Sequence, residues 1–178
     1  MAIKKNKSFR QGKFVPKNRN KYKGKTLPFY RSGWERTFMS WCDESPSIIE
    51  WLSEEPKVPY FNPLSGTRWN YHPDFVIKIR SGDGFKVEMI EVKPKRETFP
   101  PERKKGKRRA TLVEETKRWL MNTAKWDAAK SYCKERDWTF KVMYLENNNF
   151  KEAAHIRRGS LKKLIEEAKA FASQMKLH

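Results

Sequence analysis

Tyr71-His72-Pro73-Asp74-Phe75-Val76-Ile77 and, beyond a turn, Ile90-Glu91-Val92-Lys93 are the two stretches that decide how this chain folds. Between them Arg80-Ser81-Gly82-Asp83-Gly84-Phe85 carries a turn signal flanked by β-branched and aromatic residues, which predicts a β-hairpin. Side chains alternate along a strand, so Asp74 shares a face with Val76, Lys78 and Arg80, while Glu91 and Lys93 share one with Met89 and Val87. Loop length decides whether the two faces coincide. An Asp83-Gly84 turn sets Asp74 opposite Lys93, with Glu91 diagonal to it. A Gly82-Asp83 turn, or a loop over residues 81–84, sets Asp74 directly opposite Glu91. Either register gathers two carboxylates and an amine on one surface, whereas an odd-numbered loop separates them.

Around this hairpin the chain has 178 residues, enough for one domain with a core and an appended helix or arm. Apolar residues make up 37%, with seven Trp and eleven Phe, which excludes a disordered polycation. Lys and Arg number 40 against 21 Asp and Glu, a formal net charge of +19, so the expected partner is a polyanion bound with counterion release. The cations are spread over loops and several elements, which disfavours a membrane-surface helix. No export signal or membrane span is expected, because the start lacks an apolar run and no long apolar stretch follows. Cys42 and Cys133 are too few for a disulfide framework or a zinc knuckle and read as reduced, half-buried residues.

Residues 1–27 read as a basic arm, either flexible or ordering on DNA or a partner. Ser32-Gly33-Trp34-Glu35 opens a helix to about Cys42, with Trp34, Phe38 and Trp41 on its apolar face, and Ser45-Pro46 offers a further helical turn. Residues 48–60 read as strand-like or irregular, followed by a turn at 62–66 and one long strand over 68–80 paired with 85–93. Residues 94–109 form an exposed loop with Pro100-Pro101 and the cations Arg103, Lys104, Lys105, Lys107, Arg108 and Arg109. A helix over 111–136, a strand over 138–145, a loop at 147–149 and a last helix over 160–175 complete the chain. The fold class is therefore α/β, with a mixed central β-sheet flanked by helices, a basic N-terminal arm and an extra C-terminal helix.

Two carboxylates converging on one face repel each other unless a cation lies between them. Such oxygen ligands suit Mg²⁺, with Mn²⁺ as a substitute, which accepts phosphate oxygens, activates water and neutralises a leaving oxygen. Lys93 beside them would orient the attacking water or stabilise phosphorane charge. His72 reads as structural or substrate-contacting, since hard Mg²⁺ avoids imidazole; its His-Pro-Asp tripeptide resembles the J-domain loop but enters a strand instead. Glu35 fits a capping box, Ser-x-x-Glu, and equally an extra ligand or base at the helix start. Arg31, Lys117, Lys125 and the 103–109 cations are candidate phosphate contacts, the bland alternative being a solvated face. No phosphate-cradling loop, nucleophile elbow or zinc spacing competes.

Asp74 followed by Glu91-Val92-Lys93, with Glu35 on a preceding helix, resembles the PD-(D/E)xK nuclease superfamily. Gly12-Lys13-Phe14-Val15-Pro16-Lys17-Asn18, Tyr30-Arg31-Ser32-Gly33-Trp34-Glu35, Trp41-Cys42-Asp43, Trp51-Leu52-Ser53-Glu54-Glu55, Val58-Pro59-Tyr60 and Lys125-Trp126-Asp127-Ala128-Ala129 are similar to the head completion nucleases of large contractile-tailed phages. A more distant likeness, through Arg-Ser-x-x-Glu and Pro-Asp-Phe, is to the end-cleaving nuclease subunit of some cut-and-paste transposons. The resemblance implies a restriction-endonuclease-like core over 28–146; residues 147–178, beyond the matched part, read as a helical extension packed on it. The same resemblance implies Asp74, Glu91 and the Val92 carbonyl as metal ligands, Lys93 as catalytic lysine, and Glu35 in the active site. The implied activity is cutting or trimming packaged double-stranded DNA in the host cytoplasm, with portal or neck proteins as partners, before heads join tails. The alternatives are a non-catalytic head–tail connector that binds DNA, and a transposon-type end nuclease.

Overall fold

The computed structural model describes residues 11–154. They form a mixed α/β unit. Its elements are β1 (Gly12–Lys13), β2 (Phe29–Tyr30), α1 (Gly33–Glu44), β3 (Ile48–Ser53), β4 (Val58–Asn62), β5 (Thr67–Tyr71), β6 (Phe75–Ser81), β7 (Gly84–Val92), α2 (Arg109–Lys134), β8 (Thr139–Glu146) and β9 (Asn149–Glu152), with a 3-10 turn at Lys95–Thr98. A five-stranded sheet runs in the order β3-β6-β7-β8-β9. Only β7 and β8 pair in parallel, since α2 crosses over between them; the remaining neighbours are antiparallel. The C-terminal helix expected over 160–175 lies outside the described residues, as does the start of the N-terminal arm.

Both faces of the sheet are covered, and strand alternation assigns residues to them. On one side α1 and the N-terminal segment close over Ile48, Trp51, Phe75, Ile77, Ile90 and Val92. On the other, α2 and the β4–β5 hairpin close over Val76, Met89, Phe140 and Val142. Trp126, Ala129 and Cys133 supply the stripe by which α2 packs, at helical spacing. The apolar face of α1 is Phe38, Met39 and Cys42; Trp34 and Trp41, expected on that face, are 37% and 39% exposed. Both cysteines are buried and free. No helix among the described residues is long and apolar enough to cross a membrane.

Three expectations need correction. The single strand over 68–80 is two strands in different sheets. Pro73 has no N–H to offer a ladder, so β5 ends at Tyr71 and turns back onto β4, while β6 begins at Phe75 in the central sheet. Ser45-Pro46 lies in a turn after α1, and residues 48–60 resolve into β3 and β4. Finally, residues 11–27 are not a loose arm. β1 pairs with β2, Tyr22 bridges to Trp51, and the Phe14 and Tyr22 rings stand 6.0 and 4.5 Å from that of Trp51. Buried Asp43 anchors the segment further, accepting from the backbone N–H groups of Lys17 at 2.8 Å and Asn18 at 3.1 Å. An apolar ring and a buried carboxylate each needed cover, and this segment provides it.

Candidate active site

The hairpin between β6 and β7 closes on Gly82-Asp83. Ser81 pairs with Gly84 and Phe75 with Ile90, so the register carries Asp74 to a position directly opposite Glu91. Gly82 sits at φ +56°, where a side chain would be strained, which is why glycine takes the first turn position. The loop is even. Asp74 therefore joins Glu91 and Lys93 on the face covered by α2 and the β4–β5 hairpin.

Every group there is held by a named partner. Asp74 Oδ2 accepts from Val92 N–H at 2.8 Å, and its other oxygen accepts no hydrogen bond among the described residues. Glu91, buried at 4% exposure, pairs through Oε1 with Lys93 Nζ at 2.7 Å and accepts the Tyr71 hydroxyl at Oε2. Lys93 N–H donates to Met143 O at 2.9 Å, which fixes its strand beside β8. Lys125 projects from α2, its amine 5.8 Å from the Tyr60 ring centre and 6.0 Å from that of Tyr71. Lys125 is half-buried.

Charge balance follows from this packing. Burial, and then the facing Glu91 carboxylate, push Asp74 well above the usual carboxylate range; Lys93 and the Val92 N–H oppose them. Burial alone would lower the Lys93 amine, but Glu91 and Asp74 outweigh it and hold it above the ordinary lysine value. Burial and then Glu91 push the Tyr71 phenol well up, which keeps it a neutral donor. Lys125 is pushed down by burial, Glu91 and Asp74 pull back, and Lys93 adds to the lowering. The site thus sets two carboxylates face to face where burial disfavours charging both, and Asp74 is the one whose ionised form is held back.

Two facing carboxylates of this kind are the donor set to test against a divalent cation. Among the described residues no three acidic, His or Cys side chains converge on one point. An ion would rest on Asp74 and Glu91 alone, completed by backbone oxygen, water and a phosphate. Mg²⁺ keeps several waters and binds in that manner. The donor set fits.

The other candidates fall in different places. Glu35 spends its carboxylate on the helix start: Oε1 accepts from Ser32 Oγ at 2.9 Å and Oε2 from Arg31 N–H at 2.7 Å, while Ser32 Oγ accepts from Glu35 N–H. This is the capping arrangement, although Glu35 is near enough for its charge to raise Asp74. The exposed Arg31 guanidinium pairs with Glu54, and exposed His72 shares a hydrogen bond through Nδ1 with Glu54 O at 3.1 Å. Glu54 N–H in turn donates to Asp74 O at 3.2 Å, so both lie beside the Asp74 strand entry. Arg103, Lys104, Lys105, Arg108 and Arg109 are exposed, whereas Lys107 is half-buried and bound to Glu115 at 2.7 Å. Lys117 pairs with Glu114 at 2.9 Å on the solvent side of α2. Tyr71 escaped the sequence reading: a continuous strand put it merely three residues before Asp74, and only the break at Pro73 turns its hydroxyl back onto Glu91.

Comparison with known proteins points to an endonuclease family. The family model of the TnsA-like endonuclease N terminal matches residues 45–144, which span β3 to β8. The head completion nuclease of Enterobacteria phage T4 is 40% identical over 136 residues, covering 74% of this chain and 89% of that protein.

Proposed function

Since this chain belongs to the TnsA-like endonuclease family, on a restriction-endonuclease-like α/β core, we propose that it is a Mg²⁺-dependent deoxyribonuclease of phage head completion. It hydrolyses phosphodiester bonds of packaged double-stranded DNA with little sequence specificity. The observation that carries this reading is the Asp74–Glu91 pair facing across one hairpin, with Lys93 Nζ at 2.7 Å from Glu91. The 40% identity to a head completion nuclease supports the biological setting.

The chain's own groups have distinct work. Val92 N–H holds the Asp74 carboxylate in one orientation, and Tyr71 with Lys93 clamps both oxygens of Glu91. These contacts hold the pair in place before a phosphate arrives. A cation held by Asp74, Glu91 and a backbone carbonyl would polarise the scissile phosphate and lower the pKa of a bound water. The Lys93 ammonium faces the same phosphate and stabilises charge on its oxygens in the transition state. Lys125, on the facing helix, adds a second positive group above the tyrosine rings. The net charge of +19 gives affinity for the backbone without reading bases.

Linear and circular DNA incubated with the purified protein, with and without Mg²⁺, test the reading. Wild type is expected to degrade DNA only with the metal. Asp74→Ala and Lys93→Ala are expected to lose at least about 10²-fold in rate, a loss typical of removing one stabilising group, while still binding DNA. Intact DNA in all arms, with head completion surviving in Asp74→Ala, would instead mark a connector that only binds. A transposon-type role, favoured by the family match, would require cutting at defined ends alone.

A further inference from the structure

Beyond β7 the chain runs from Lys93 through Pro94 into the 3-10 turn at Lys95–Thr98, and there opens a cleft of about 640 Å³. It lies between this turn, the loop that follows and the first half of α2. Phe99, 47% exposed, and the half-buried Trp119 supply aromatic surface. Arg96, Lys104 and Arg118 supply positive charge, and none of the three has an ion pair among the described residues; with Lys107 they outnumber the lining acids Glu97, Glu102 and Glu115. The remaining cation is committed elsewhere: Lys107 Nζ binds Glu115 at 2.7 Å and Glu102 O at 3.0 Å. That contact pins the basic loop to α2, so the cleft has a built wall. The Trp119 ring, edge-on to Trp126 at 5.6 Å, carries an indole N–H enclosed from water and without a hydrogen-bond partner. Glu97 on the same turn is close enough for its charge to act on Lys93, so cleft and catalytic lysine are neighbours.

The volume is that of a pocket for a small ligand and excludes a double helix. Paired bases hide their faces in the stack, and aromatic side chains reward only bases that have left it. Unpaired cations beside aromatic rings match a phosphate chain with free bases. Resting on the nuclease reading above, we propose that this cleft is a subsite for the unpaired terminal nucleotides of a DNA strand. A base lies against Phe99 and Trp119, with flanking phosphates on Arg96, Lys104 and Arg118. The neighbouring backbone then leads to Lys93. Frayed or overhanging ends are accordingly the preferred substrate.

Binding of the full chain to labelled duplexes in chelator tests this without any cleavage. One duplex is blunt, and the other has the same sequence with a three-nucleotide single-stranded overhang. Wild type is expected to bind the overhang about tenfold more tightly, the size of one stacked base. Phe99→Ala and Arg96→Gln are expected to lose that preference while holding blunt duplex within about twofold; both residues are exposed, and melting curves verify folding. No preference in wild type overturns the proposal. So does a preference that survives both substitutions, or an equal loss on the two duplexes, which would make the cleft ordinary duplex surface. Mg²⁺-dependent cleavage is read separately, so the subsite can fall while the nuclease stands, and the reverse.

Discussion

Asp74 is where a functional demand and a folding demand collide. Its half-buried carboxyl faces buried Glu91, yet a hydrogen bond from Val92 N–H and the nearby Lys93 ammonium keep it in place. With no cation present, the raised value means that the folded protein binds a proton there more tightly than the unfolded chain. The stabilisation is complete below the ordinary aspartate value of about 4 and is lost as pH rises through the raised folded value. Asp74→Asn keeps an acceptor for Val92 N–H and removes the charge. In chelator at pH 8 it is expected to be more stable than wild type by about 1 kcal/mol. The gap should shrink toward pH 4, and hydrolysis should disappear. Denaturant melts across that range decide it, and a destabilised Asn variant at pH 8 would refute the electrostatic account. Glu35 teaches the opposite lesson at this scale. Its spacing from Ser32 was ambiguous between cap and site, and the structure commits both oxygens to the cap.

Among the elements, β7 does two jobs. Its C-terminal end carries Glu91 and leads straight to Lys93; its middle carries Glu88, which ties the parallel β7–β8 pair together. Glu88 Oε1 meets Lys86 Nζ at 2.9 Å and Lys141 Nζ at 2.7 Å, with only 5% of the residue exposed. Burial pushes this carboxyl up, but the hydrogen bonds from Lys141 and Lys86 prevail and hold it below the ordinary value. The pairing therefore stabilises fully above pH of about 4.3 and weakens as pH falls through the lowered folded value. Glu88→Gln is expected to cost about 2 kcal/mol at pH 7, the range for a charge-assisted hydrogen bond. Its deficit should close in acid. A pH-independent deficit in thermal unfolding would point to packing instead. The turn between β8 and β9 falls where a loop with no following strand was expected: Asn147 at φ 51° and Asn148 at φ 60° take the left-handed geometry that a two-residue hairpin prefers, and β9 joins the central sheet.

For the whole molecule, the described N-terminal segment is structural. Tyr22 and Phe14 cover Trp51, which is 1% exposed, and the Lys17 and Asn18 amides satisfy buried Asp43. Deleting residues 1–27 is expected to uncover Trp51 and strand that carboxylate, so the protein should melt well below wild type. Tyr22→Ala alone is expected to cost about 2 kcal/mol, within the span for truncating a partly buried large side chain. Chemical denaturation measures both. A truncated protein as stable as wild type would restore the idea of a loose arm.

The hairpin of Asp74 and Glu91, the two long helical periods and the strongly basic charge were legible in the residues themselves, while the parity of the loop was decided by the fold. The legible features depend on neighbours a few positions apart: alternation along a strand, 3.6-residue spacing, a glycine in a turn. Sequence left open which of two even registers would be used, and misread the strand break at Pro73 and the packing of residues 11–27. Tyr71 bonding Glu91, Lys125 standing over the tyrosines and the cleft beside Lys93 were likewise invisible. Each joins segments far apart in the chain, and which face covers which is decided by the competition to bury apolar surface across the whole fold. Local pattern thus specified the acidic ribbon, and tertiary packing alone decided what surrounds it.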